Sequence, residues 1–104
     1  MTPRLIYVND SIEGKYFRID IEGNEATCNP NTLVASFPAL LSSAIVVEQP
    51  ARSLINSPQG LAELIDNYIG NSSACIIDVG YYVSIFIKNK ELHTKLLGEL
   101  IECL

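Results

Sequence analysis

The sequence predicts an α+β domain: a mostly antiparallel sheet of about five strands with two main helices, about residues 58–69 and 90–103, packed on one face. Three observations carry that expectation. The stretch KYFRIDIEG alternates apolar and polar residues with a period of two, which marks a strand with one buried face. The stretches around 57–70 and 89–103 show apolar residues at helical spacing between a start signal and a stop signal. The two kinds of pattern follow one another as strands, helix, strands, helix, with no repeat and no low-complexity tract. A parallel βαβ unit, with the strand at 44–48 leading into the helix from 58, is the alternative arrangement.

Taken in order, RLIYV at 4–8 reads as a first strand and KYFRIDIEG as a second, joined across NDSIEG. EATC at 25–28 would follow across Gly23-Asn24, a pair suited to a type II′ turn, to give a three-stranded meander. Residues 26–47 contain no charged side chain, yet Asn, Thr, Ser and two prolines interrupt them, so they fall short of a membrane span and suit a buried segment. Within them Asn31 or Thr32 is a candidate cap for a short helix that Pro38 would interrupt. AIVVE at 44–48 is β-branched and ends just before Pro50, as a short strand does.

The helix over 58–69 has Ser57 as its cap, Pro58 at its first position and Gly70 just past its end. Leu61, Leu64, Ile65 and Tyr68 line its apolar face, while Glu63, Asp66 and Asn67 look outward. After it, IIDVG reads as a strand end running into a hairpin turn, with Asp78 and Gly80 as turn residues. The strand beyond has Tyr81, Val83, Ile85 and Ile87 on one face and Tyr82, Ser84, Phe86 and Lys88 on the other. That second face is too apolar to stand in water, so it meets another element or a partner. The last helix, 90–103, takes Asn89 as its cap, with Leu92, Leu96, Leu97, Leu100 and Ile101 as its apolar stripe.

At 104 residues the chain fits one domain, residues 1–104, and its 48% hydrophobic and 18% charged residues suit a folded core. Twelve acids against seven bases give a net charge of −5, which excludes a phosphate-rich partner: nucleic-acid affinity rests on Lys and Arg. Cys28, Cys75 and Cys103 are odd in number and show no paired spacing, so neither a disulfide framework nor a zinc site is expected. With no signal-peptide pattern at the N-terminus, the expected location is cytoplasmic, without membrane contact.

No catalytic set emerges. His93 is the single histidine, and in the first turns of the terminal helix it reads as a surface residue rather than as the base for Cys28 or a serine. Asp20 and Glu22 share a strand face with Arg18, which suits a solvated face better than acid–base chemistry. Gly-rich phosphate loops and metal-ligand spacings are missing, so no cofactor and no metal are expected. The expectation is therefore a small acidic non-enzymatic protein that binds another protein with a basic surface, as an inhibitor, immunity protein or adaptor does. Its expected partner-binding residues are Tyr16, Arg18, Asp20 and Glu22 on the second strand and Tyr82 and Phe86 on the last, since aromatic and charged residues dominate interfaces. The rival readings are a small-ligand or anion-sensing regulatory domain, with a site at the helix from 58 and Asp78, and a homodimer or larger homo-oligomer in contact through 26–47.

Overall fold

The computed structural model describes residues 4–22, 30–40, 44–47, 60–78 and 82–103. Among them run β1 (Arg4–Ile12), β2 (Tyr16–Glu22), α1 (Pro30–Ser36), β3 (Ala44–Val47), α2 (Leu61–Ile69), β4 (Ala74–Asp78), β5 (Tyr82–Ile87) and α3 (Lys90–Cys103). The described strands form one mixed sheet in the order β1-β2-β5-β4-β3. Every pairing is antiparallel except that of β3 with β4, where Ala44 to Val47 run alongside Ala74 to Ile77. The α+β expectation holds, and the βαβ alternative is also present within it: β3, α2 and β4 form one parallel crossover, the connection that parallel neighbours require.

That crossover corrects one expectation, because α2 and α3 lie on opposite faces of the sheet. On one face Ile19, Ile21, Ile76, Val83, Ile85 and Ile87 pack against Leu33 and Phe37 of the α1 region and Leu96 and Leu100 of α3. On the other, Tyr16, Cys75, Ile77, Tyr82 and Phe86 pack against Leu61, Ala62, Ile65 and Ile69 of α2. The cause is readable in β5, all six residues of which are buried: a strand covered on both faces becomes a nearly continuous apolar run. The described part of the charge-free stretch joins the first core through Leu33, Phe37, Ala39 and Leu40.

Local chemistry explains the element boundaries. β1 runs on to Ile12, and residues 13–15 turn the chain into β2: Glu13 (φ 51) and Gly14 (φ 75) are both left-handed and Lys15 N–H donates to Ile12 O at 2.9 Å. Two left-handed residues make the type I′ turn, whose twist matches that of the strands it joins. The expected third meander strand, 25–28, and its turn at 23–24 lie outside the described residues, and both edges of β2 are taken by β1 and β5. α1 starts on Pro30, so Asn31 and Thr32 are inside the helix rather than capping it, and it stops two residues before Pro38. The hairpin of β4 and β5 forms as expected, with Asp78 opposite Val83, while its turn at 79–81 lies outside the described residues.

The start of α2 differs from the sequence expectation. Gly60, left-handed at φ 73, immediately precedes Leu61 and makes no side-chain cap; Ser57 and Pro58 lie outside the described residues. The cap comes from elsewhere in the chain: the carboxylate of Glu13 accepts the N–H of Ala62 at 2.8 Å. A carboxylate there meets both a free amide and the positive end of the helix dipole. Glu13→Ala is expected to cost about 1 kcal/mol in urea unfolding. Glu13→Gly, which loses the same cap but relaxes the left-handed backbone, is expected to cost less. At the other end, Lys88 Nζ donates to the Gly70 carbonyl at 2.7 Å, a cation at a helix C-terminus. α3 is capped as expected, Asn89 Oδ1 accepting the N–H of Leu92 at 2.7 Å.

Candidate interaction surface

The residues expected to bind a partner are mostly inside. Phe86 is fully buried and Tyr82 is 6% exposed, so their face is covered by α2 of this same chain. Tyr16 and Asp20 are each 5% exposed. The Arg18 side chain is largely buried, and of the six only Glu22, partly accessible, reaches water appreciably. The sequence pattern gave the right faces, but placed the wet one wrongly: β2 lies inside the sheet, and helix α2 packs above its neighbours.

Arg18, Asp20 and Ser84 form a closed polar cluster on that face. Ser84 Oγ donates to Asp20 Oδ1 at 2.7 Å, and Arg18 Nε donates to the same oxygen at 3.0 Å. The Arg18 guanidinium lies 5.4 Å from the centre of the Phe86 ring, as cation–π contacts do. Asp20 and Ser84 are direct partners in the β2–β5 ladder, so the cluster follows from strand register. With its polar atoms turned towards one another, the group is suited to fixing structure rather than to proton transfer.

A second set joins the β1–β2 turn to α2. Lys15 Nζ donates to Asp66 Oδ2 at 2.8 Å and the Tyr16 hydroxyl donates to Asp66 Oδ1. The hydrogen bonds from Lys15 and then Tyr16 hold the Asp66 carboxyl below its ordinary range, and the bond to Asp66 raises Lys15. Burial, then the bond to Asp66, pushes Tyr16 up from 10.0 to about 12; burial alone pushes the Cys75 thiol from 9.0 to about 12. Both groups resist ionisation when folded but ionise at their ordinary values when unfolded. Their contribution to stability is therefore complete below pH 9 and is lost as pH climbs towards 12. The urea midpoint should fall across that window in the wild type, and less steeply in Tyr16→Phe and Cys75→Ala; equal slopes in all three would refute the assignment.

Other candidates also resolve into structure. His93 is buried, 6% exposed, and stacks on Phe17 with ring centres 5.0 Å apart, so it is a core residue and not the surface histidine expected. Cys75 is buried, and Cys28 lies outside the described residues. In the first turn of α2 the Ala62 amide is taken by Glu13, while the amides near Ser57 expected to meet an anion lie outside the described residues. Asp78 ends β4, partly buried. Among the described residues no group of three or more His, Cys, Asp or Glu is arranged to hold a metal, and no helix is long and apolar enough to cross a membrane.

Among the described residues both edges of the sheet carry exposed apolar side chains, Ile45 on β3 and two residues on β1. Ile6 and Val8 are 39% and 43% exposed, and Arg4 donates to Glu22 at 2.8 Å beside them, both side chains well exposed. Among the described residues β1 pairs with β2 alone, which makes it an edge strand. Sequence reasoning placed this strand but missed its surface, because the pairing shifts register between Leu5 and Tyr7 and again between Asn9 and Ile12. Such bulges break the alternation from which a buried face is read. The available signal was the run RLIYV itself, five residues with too much apolar area for an edge strand to bury on one side. Comparisons with protein-family models, with curated proteins and with solved structures find no match for this chain.

Proposed function

We propose that this protein works by binding another protein through the rim formed by β1, with Ile6 and Val8 as the apolar contact and Arg4 and Glu22 at its margin. It is a non-enzymatic role, of the inhibitor, immunity-protein or adaptor type, carried out in the cytoplasm. The observation that carries the reading is the pair of exposed branched side chains on an edge strand, since edge strands offer main-chain hydrogen bonds as well as side-chain contacts to an incoming chain. The net charge of −5 favours a partner with a basic surface, drawn in by electrostatic steering. Of the six expected residues Glu22 alone joins that rim; Tyr16, Asp20, Tyr82 and Phe86 are buried in the sheet.

The test is retention of a purified binding partner by immobilised protein, at low and high salt, for the wild type, Val8→Lys and Ile101→Lys. Ile101 is 64% exposed on α3 and serves as the control for a surface charge placed elsewhere. Val8→Lys should lower affinity at least tenfold with an unchanged urea midpoint, and high salt should slow association. Equal affinities for all three proteins would remove β1 from the interface.

A further inference from the structure

We infer that α2 is a hinged lid, which opens from the sheet by itself and is held shut by Glu13, Lys15 and Tyr16 at the β1–β2 turn. Both ends of the helix are built for movement. Gly60 (φ 73, ψ 10) and Gly70 (φ 54, ψ −128) bracket it, in conformations that other residues rarely adopt, and a Cβ added at either would meet nothing within 4 Å. These two glycines therefore serve the backbone and not close packing, and they regain the most freedom when the helix is released. With nine residues α2 is too short to persist alone in water, so on leaving the sheet it melts as one local unit. α3, on the opposite face, has 14 residues and is capped by its own neighbour Asn89.

The latch is small and polar. Gly60 supplies no side-chain cap, and the carboxylate that accepts the Ala62 amide comes from Glu13. Asp66, on the polar side of α2, accepts both Lys15 Nζ and the Tyr16 hydroxyl. The Lys15 and Asp66 side chains are 58% and 38% exposed, so their ion pair adds little, and the part-buried Tyr16 bond supplies most of the hold. Opening uncovers Tyr16, Cys75, Tyr82 and Phe86, while Leu33, Leu96 and Leu100 keep the other face of the sheet covered. The sheet therefore retains a core when the lid is open.

Thiol labelling reads the opening, because Cys75 is fully buried on the face that α2 covers. With Cys28 and Cys103 replaced by Ser, the protection of Cys75 from an aromatic disulfide reagent is compared with the hydrogen-exchange protection of central β2 and β5 amides, which open with the whole fold. Cys75 should be less protected than those amides by a factor of about ten or more. Its protection should also depend only weakly on urea, since a local opening exposes little surface. Ile21→Val lies on the face that stays covered, so it should lower amide protection about fivefold and leave Cys75 unchanged. Asp66→Ala, which strips the buried Tyr16 hydroxyl of its acceptor, should lower Cys75 protection about tenfold. Asp66→Asn keeps an acceptor and should fall between Asp66→Ala and the parent protein. Urea midpoints check that each variant is folded. Cys75 protection that matches the amides in its urea dependence and falls equally with Ile21→Val overturns the inference, as does protection indifferent to Asp66→Ala.

Discussion

Phe86→Ala should lower the unfolding free energy by about 3–5 kcal/mol, measured from the shift of the urea midpoint. The ring is fully buried between the sheet and α2, in one cluster with Tyr16, Ile65 and Cys75, so its removal leaves a cavity that the sheet cannot close. It also removes the surface over which the Arg18 guanidinium lies. A domain of this size has a total stability of about 5–15 kcal/mol, so the variant stands near the limit of folding. The same substitution in a residue offered to a partner would weaken binding while leaving the midpoint within about 0.5 kcal/mol. Val8, 43% exposed, supplies that contrast: Val8→Ala should leave the midpoint almost unmoved. A midpoint for Phe86→Ala close to that of Val8→Ala would place the ring outside the core.

The difference between these two residues shows what the sequence could and could not carry. Alternation in β2 and β5 correctly sorted side chains into two sets, Phe17, Ile19 and Ile21 against Arg18, Asp20 and Glu22, because period-two geometry is a property of the backbone. Which set meets water is a property of the neighbours, and the covering element for Phe86 is α2, which precedes it in the chain by way of β4. The helix caps divide in the same way. Asn89 caps α3 from three residues away and was legible, whereas Glu13 caps α2 from a turn 49 residues earlier and was not. His93 misled for a related reason: it lies in the first turn of α3, where a polar residue reads as exposed, yet Phe17 stacks against it from β2. The β1 rim was hidden by its bulges, which a period-two reading has no means of locating.

Asp20→Ala should destabilise the protein by about 3–5 kcal/mol, because it takes away the carboxylate that a largely buried guanidinium faces and the acceptor of the Ser84 hydroxyl. Burial decides the size of the effect. The Arg18 and Asp20 side chains are 14% and 8% exposed, so water compensates little for the loss; Arg4 and Glu22, at 70% and 42%, are worth at most about 1 kcal/mol. Added salt should accordingly weaken the outer pair and leave the inner one alone. Replacing the whole cluster is a different experiment. Arg18→Met, Asp20→Leu and Ser84→Ala together remove the cost of desolvating the charges and should leave stability unchanged or raise it by about 1–4 kcal/mol. If the triple variant is as stable as the wild type, the cluster's value lies in specificity, and register is what it specifies. A slip of one residue would set Asp20 against Val83 or Ile85 in place of Ser84 and turn every β2 side chain to the opposite face. Hydrogen exchange reads this directly: β2 amides should lose protection in the triple variant at equal global stability, as alternative pairings with β5 become populated. Unchanged protection at unchanged stability would mean that Ile19 and Ile21, fully buried on the other face, hold the register by themselves.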